Sequence, residues 1–382
     1  MSQNNRKPRI LYVFNVSWFF LSHRRSFALA AKRVGYDVHV AASLQSGDAE
    51  QISSDGLIFH PLPLTRQGLN IFNEFKTICT LFYLYNKIRP NIIEHATIKP
   101  VIYGSLIAKC FKQIKIVNWM TGLGYVFISN TFRGGFIRIL ARFLYRYSFK
   151  NNYLKVIFEN PDDQSYFTKH SYVKIENTHV IRGAGVNPKI FSPLPELHGV
   201  LTIILISRML WDKGVSEFIE AARIIKGKLS MRSRFVLVGD SDEGNPAAVP
   251  NITLESWVSE SVVEWWGRRN DIPQVIGLSH IVCLPSYREG LPKVLIEAAS
   301  CERAIVATDV PGCREVVKHG VNGLLVPPKN ALALANAIQY LIENPDIRCK
   351  MGKNGRKMVI EEFSENKVVT ETLAVYQELL SR

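Results

Sequence analysis

Residues 285 to 301, Pro-Ser-Tyr-Arg-Glu-Gly-Leu-Pro-Lys-Val-Leu-Ile-Glu-Ala-Ala-Ser-Cys, hold the densest set of chemically useful side chains in the sequence. Two carboxylates, Glu289 and Glu297, stand eight residues apart across a polar turn. The apolar run Ile281 to Leu284 predicts a strand that enters this turn. Pro292 sits where the next helix begins, a place where its missing N–H costs nothing. Val294, Leu295, Ala298 and Ala299 then recur at helical spacing on one face. A strand, loop and helix in this order leave backbone N–H groups open at the helix start, a ready site for phosphate. Carboxylates on either side suit a ligand that carries hydroxyls as well, because an ionised carboxylate only accepts hydrogen bonds. Spacing alone leaves a plainer alternative. Glu297 lies four residues after Lys293 and can form a surface ion pair worth about 0.2–0.5 kcal/mol, and Glu289 can be a solvated loop charge.

Other residues could join this site. Arg208 follows an apolar run over Leu201 to Ile206, and Lys213 comes five residues later, before Gly214 and a helical pattern. Gly267 and Arg268 follow a short apolar run, Val263 to Trp266. Asp240-Ser-Asp242 has the form of a short acidic metal motif, but it reads better as the polar loop after the strand Phe235 to Val238. No bound metal is expected. In the amino-terminal half, His23 and Arg24 lie beyond the first strand, by position near a second ligand. Gly122 and Gly124 follow the strand Ile114 to Trp119, where glycine lets backbone approach a ligand.

The elements that must position these residues alternate. Arg9 to Phe14 reads as a buried strand, Ser26 to Val34 as a helix and Asp37 to Ala41 as a strand. Helices are predicted over Phe72 to Lys87, Pro100 to Lys112 and residues 133 to 150. Further strands are predicted at Asn91 to Glu94, Leu154 to Glu159 and Thr178 to Ile181. Three prolines and a glycine between Pro188 and Gly199 mark a linker, and a second alternation starts at Leu201. Strand–helix–strand alternation implies parallel sheets with crossover helices. At 382 residues the chain is long enough for two such domains, expected at 1–187 and 188–364, with the terminal helix 365–382 packing back on the first.

Six cysteines show neither close pairs nor metal spacing, which fits a reducing cytoplasm. The start of the chain carries no signal-peptide pattern, and no apolar stretch approaches the length of a membrane span. The net charge of +14 is lopsided. Residues 1–185 hold 24 Lys and Arg against 10 Asp and Glu, whereas residues 186–382 hold 23 of each. The densest basic run, Arg133 to Lys155, has six basic residues and no acid, and Arg138, Arg142 and Arg146 repeat every four residues among apolar side chains. Such a helix suits an anionic membrane surface. No nucleic-acid signature accompanies the charge. The plainer alternative is a core helix with a solvated basic face.

The segment Glu289 to Glu297 resembles the Glu-x7-Glu motif of retaining, family 4 glycosyltransferases. The resemblance extends over Ile206 to Gly214, Phe235 to Gly239, His319 to Pro328 and Asn344 to Gly355, in the family's order. Phe19 to Arg24 and Thr121 to Val126 look like the bacterial subgroup that extends undecaprenyl-diphosphate-linked sugars. What the resemblance implies is a GT-B fold: α/β, with two doubly wound Rossmann-like domains facing across a cleft. It implies a nucleotide-sugar donor, with a uridine diphosphate sugar as first choice, and no metal or other cofactor. The acceptor is then a polyprenyl-diphosphate-linked sugar, and the enzyme is peripheral at the inner face of the cell membrane. By the same resemblance Arg208 and Lys213 neutralise the departing diphosphate and Glu289 holds hydroxyls of the transferred sugar. Gly290, Leu291 and Pro292 approach the phosphates, Glu297 holds the ribose and Arg268 frames the base. The chain departs from the pattern in lacking the glycine pair after the first strand and the histidine that many relatives carry after the strand Ile114 to Trp119. The alternative function is a sugar-nucleotide epimerase of the same architecture.

Overall fold

The computed structural model describes residues 7–44, 47–64, 71–122, 142–228, 233–242 and 244–381. The chain divides into two compact units, Met1–Ala184 with Val368–Arg382, and Gly185–Lys367.

In the first unit the apolar run Arg9–Val16 forms β1 and leads straight into α1 (Ser17–His23), ahead of the helix predicted from Ser26. Helix α1 forms because Phe20 can be buried against Phe14, with ring centroids 5.6 Å apart. α2 (Arg25–Arg33), β2 (Asp37–Ser43), α3 (Asp48–Ser54) and β3 (Ile58–Pro61) follow. The pair α3 and β3 carried no clear sequence signal. Ile52 is the only buried residue of α3, and β3 is a short edge strand. Next come α4 (Ile71–Ile88), β4 (Ile92–Ala96), α5 (Ile98–Ala108) and β5 (Lys115–Met120). A helix at 142–148, α6, precedes β6 (Leu154–Phe158), α7 (Pro161–Lys169) and β7 (Thr178–Val180). The seven strands are parallel, in the order β3-β2-β1-β4-β5-β6-β7. Sheets covered on both faces need continuous apolar strands, and β4 and β6 are buried throughout.

The second unit repeats the plan. It runs β8 (Leu201–Ile206), α8 (Val215–Lys228), β9 (Ser233–Val238), α9 (Asn251–Ser259), β10 (Glu264–Trp265) and α10 (Ile272–Gly277). It continues with β11 (Ile281–Leu284), α11 (Lys293–Ser300), β12 (Ala304–Thr308), α12 (Pro311–Val316) and β13 (Gly323–Val326). α13 (Ala331–Glu343), α14 (Pro345–Met358) and α15 (Glu365–Leu380) close the chain. The six strands are again parallel, ordered β10-β9-β8-β11-β12-β13. From Val368 onwards α15 belongs to the first unit, where Val368, Val375, Tyr376 and Leu379 join the core under β1 and β2. No helix of the described residues is long and apolar enough to cross a membrane.

Both sheets are doubly wound. In such sheets ligands bind beyond the carboxyl ends of the strands where the strand order reverses. Those switch points lie between β1 and β4 in the first unit and between β8 and β11 in the second.

Candidate functional site

The loops after β8 and β11 border the crevice of the second unit's sheet. The first carries Arg208 and, in the short turn Trp211–Lys213, the lysine. The second carries Tyr287 to Leu291. Backbone holds them together, since Tyr287 N–H donates to Asp212 O at 2.9 Å. Gly214 adopts φ +71°, and a Cβ there would stand 2.1 Å from the carbonyl oxygen of Pro285. Any other residue forces the two loops apart. Gly312 guards the other side, because its Cβ would lie 2.4 Å from Gly290 O.

Within this frame Lys213 Nζ donates to Glu289 Oε1 at 2.6 Å, with the side chains only 19% and 12% exposed. Arg208 Nη1 donates to Asp242 Oδ2 at 2.5 Å, and Asn245 Nδ2 donates to the same oxygen at 3.1 Å. Asp240 accepts from Arg268 N–H at 2.8 Å, while Arg268 itself is exposed. The acidic pair Asp240 and Asp242 therefore positions two arginines. Each cation of the crevice rests on a carboxylate, and a diphosphate brings enough negative charge to draw both.

Pro292 is the extended residue just before α11 (φ −73°, ψ 106°), not its first helical residue, and no side chain caps the helix. Within its first turn Leu295 N–H donates to Pro292 O at 3.0 Å, and the positive end of the helix borders the loop that carries Glu289 and Gly290. Leu291 and Pro292 are buried and Gly290 is half-buried. Glu297 projects from α11 and is buried, with Lys293 Nζ 3.3 Å from its Oε1. The plainer alternative of a surface ion pair is thus corrected, for the pair exists but its carboxylate is inside. Burial raises the pKa of Glu297 above the usual carboxylate range, and Lys293 opposes the shift.

In the first unit the acceptor expectation divides. His23 is half-buried, stacked on Phe19 with centroids 4.4 Å apart, and its Nδ1 is 2.6 Å from Ser22 Oγ. Arg24 is enclosed by its own unit rather than exposed at the strand end. It is 1% exposed and lies over Trp119 at 3.7 Å and Phe27 at 4.9 Å, with Glu94 at 3.4 Å and Glu159 at 3.8 Å. A buried cation needs such partners, and Arg24 serves the core, which corrects the sequence expectation. Gly122 has φ +112°. Gly124 lies outside the described residues.

The basic run is also redistributed. Lys155 is buried in β6, where it pairs with Glu378 of α15 at 2.8 Å. Arg142 Nη2 donates to Tyr166 Oη at 3.2 Å. Arg146 is exposed, and Arg138 lies outside the described residues.

Sequence reasoning missed two residues at the switch point of the first unit. Val13 of β1 lies opposite His95 of β4, so Asn15, near the end of β1, and Thr97, just beyond β4, come close along neighbouring strands. Asn15 Oδ1 and Thr97 Oγ1 are buried and have no hydrogen-bond partner among the described residues. Thr97 has φ 71° and ψ 159°, a region essentially reserved for glycine. Unsatisfied buried polar atoms and backbone strain both gather at ligand sites. The only sequence signal was a polar residue ending each of two apolar strands.

Comparison with known proteins agrees with this geometry. Residues 187–358 match the family described as "Glycosyl transferases group 1" and residues 9–160 match "Glycosyl transferase 4-like". The chain is 30% identical over 329 residues to the N,N'-diacetylbacillosaminyl-diphospho-undecaprenol alpha-1,3-N-acetylgalactosaminyltransferase of Campylobacter jejuni, covering 83% of this chain and 84% of that one. It is 23% identical over 357 residues to the UDP-Gal:alpha-D-GlcNAc-diphosphoundecaprenol alpha-1,3-galactosyltransferase of Escherichia coli, with 90% of each chain covered. Among solved structures, sucrose-phosphate synthase from Thermosynechococcus elongatus superposes with TM-score 0.81 at 20% identity, over 98% of this chain and 99% of that one. Anabaena HepE in complex with UDP gives TM-score 0.76 at 18% identity, over 97% and 100%. The fold is GT-B, and the epimerase alternative finds no support among these relatives. With both halves matched and a 30% identical relative spanning most of its length, this chain belongs to the group 1, family 4-like glycosyltransferases and is an enzyme of that kind.

Proposed function

We propose that this glycosyltransferase moves a sugar, with retention of configuration, from a uridine diphosphate sugar to an undecaprenyl-diphosphate-linked sugar during surface polysaccharide or glycan assembly. N-acetylgalactosamine is the first choice of sugar, on the strength of the Campylobacter relative. The observation that carries the reading is the meeting of Lys213 with Glu289, beside Arg208, at the switch point of the second unit. Arg208 and Lys213 take up the diphosphate beside the positive end of α11. Glu289 accepts from hydroxyls of the transferred sugar and Glu297 from the ribose. The bond from the sugar's anomeric carbon to the β-phosphate oxygen breaks. A new bond forms to the acceptor hydroxyl on the same face, and the hydroxyl proton passes to the departing phosphate oxygen. The two cations meet the charge of the leaving group by electrostatics, so no divalent ion is required. Asn15 and Thr97 are the proposed polar floor of the acceptor site. The lipid-linked acceptor places the enzyme at the inner face of the cell membrane, as a peripheral protein.

The test is incubation of the purified chain with UDP-N-acetylgalactosamine, with and without undecaprenyl-diphosphate-linked sugar in detergent and with a chelator present. The expected result is UDP release only with the lipid acceptor, and an α-linked product. Release without acceptor, or activity that returns only when magnesium or manganese is added, overturns the reading.

A further inference from the structure

Helix α4 is apolar on two faces. Thr77, Leu81, Leu84, Tyr85 and Ile88 are buried in the first unit. The opposite stripe should then be polar, yet at i, i+3, i+7 and i+11 it carries Phe72, Phe75, Cys79 and Tyr83, with Phe82 beside them. Phe72 is 85% exposed, Phe75 67%, Tyr83 58% and Phe82 47%. Lys76 and Lys87 share this stripe and are exposed as well.

The ridge does not end with the helix. Phe82 meets Phe111, with centroids 5.3 Å apart. Two residues before Phe111, Lys109 places its Nζ 3.6 Å from the ring centroid of Tyr147 in α6. On α6 Phe143 is 66% exposed and Tyr147 52%. Lys112, Arg146 and Lys150 are exposed along the same path. Acid is almost missing from it. Glu74 is the only acidic residue of α4, and Lys99 holds it at 2.5 Å. None occurs at 109–112 or at 142–150.

From this juxtaposition we infer that the exposed aromatic ridge of α4, continued by Phe143 and Tyr147, is the surface that enters an anionic lipid bilayer. Exposed aromatics on this scale mark an interaction site. Aromatic rings settle at the level of the headgroups, and lysines among them pair with anionic lipid. Charge decides the occupant, because a face with its one acid neutralised and lysines throughout is matched by an anionic surface. The inference rests on the proposed lipid-linked acceptor. It also adds to the basic run, which supplies Phe143, Arg146 and Tyr147, a helix that the sequence marked only as a helix of the first domain.

Cys79 lies on the ridge and is exposed, as are Cys110 and Cys349, while Cys283, Cys301 and Cys313 are buried. This allows a directional test on the full chain. An environment-sensitive fluorophore is attached at Cys79 in a Cys110→Ser, Cys349→Ser variant, and at Cys349 in a Cys79→Ser, Cys110→Ser variant. Each is mixed with vesicles of about three parts phosphatidylcholine to one part phosphatidylglycerol. The Cys79 label should shift to the blue and be quenched by spin labels buried in the bilayer, and the Cys349 label should do neither. Phe75→Ser with Tyr83→Ser should lower vesicle partition about tenfold or more, since insertion scales with apolar area. UDP binding and transfer to an acceptor in detergent should persist in that variant. An unshifted Cys79 label, or equal partition of variant and parent, overturns the inference. So does a dimer in solution that this variant dissociates, because the ridge would then cover a second copy. Loss of transfer to every lipid-linked acceptor with vesicle insertion intact would count against the proposed function alone.

Discussion

Lys213 and Glu289, 76 residues apart in sequence, are joined at 2.6 Å with neither side chain more than 19% exposed. A solvated loop charge, the plainer reading of Glu289, could be lost with little effect on the fold. The pairing changes that expectation, because loss of either residue leaves the other uncompensated in a partly closed crevice.

Lys213→Ala and Glu289→Ala should each abolish most transfer. Each should also lower stability, by about 1–3 kcal/mol, the cost of leaving a buried polar partner unmade. The double variant should be as inactive as either single one but more stable than both, since it strands no charge. Urea unfolding of the three proteins, next to an assay of UDP release, checks this. Additive losses of stability would mean that the pair is not coupled.

The architecture was legible because it depends on period. Apolar runs such as Ile281 to Leu284 and the helical spacing after Pro292 specify a strand and a helix whatever surrounds them. The short edge elements α3 and β3 were not legible, because one buried residue in seven gives a helix no pattern. For the site, the motif residues of the second unit could be read by type and order. Their partners could not. Nothing in the sequence ties Asp242 to Arg208 across 34 residues. Arg24 misled because an arginine near a strand end looks available, whereas the fold wraps it in Trp119, Phe27 and two glutamates. The conformation of Thr97 is set by packing and leaves no trace in residue type.

On the proposed reading Asp242 competes with the donor diphosphate for Arg208. The pair is half exposed on the arginine side, so its worth is that of a surface ion pair. Asp242→Asn should tighten UDP binding by roughly twofold to fivefold, the equivalent of about 0.4–1 kcal/mol. Calorimetric titration at low and high salt reads the effect, which should shrink as salt screens the pair. Weaker binding in the variant would show instead that Asp242 holds Arg208 in its productive place.

The proposed role of Glu297 gives donor binding a dependence on pH. Burial raises its pKa, so it protonates at a higher pH than an ordinary carboxylate, and on the proposed reading its ability to accept from ribose hydroxyls weakens with its charge. Donor affinity should fall on acidification, starting above the ordinary carboxylate range. Stability should move the other way. With the folded pKa above the unfolded one, the stabilising contribution is complete below the unfolded pKa and disappears as pH rises through the folded value. Glu297→Gln should flatten both curves. UDP titrations and urea unfolding between about pH 4 and 8 test the pair of signs. A variant with the parent's affinity profile would place the titrating group elsewhere.

Thr97 stores strain where the first unit's sheet opens. Its φ of 71° and ψ of 159° are a conformation that a β-branched residue adopts only under compulsion, at a cost of about 1–3 kcal/mol. Its Oγ1 is buried without a partner among the described residues, a further cost that a hydroxyl of the proposed acceptor would remove. Glycine removes the strain and the stranded oxygen together, while its greater freedom in the unfolded chain takes back part of the gain. Thr97→Gly should therefore be at least as stable as the parent, by up to about 1 kcal/mol, against the usual direction of a threonine-to-glycine change. The same substitution should raise the acceptor KM and leave UDP affinity unchanged, because the residue belongs to the first unit and Arg208 and Lys213 to the second. Urea unfolding and acceptor titration in detergent measure the two effects. A destabilised variant with unchanged acceptor KM would make Thr97 an ordinary residue of the strand end.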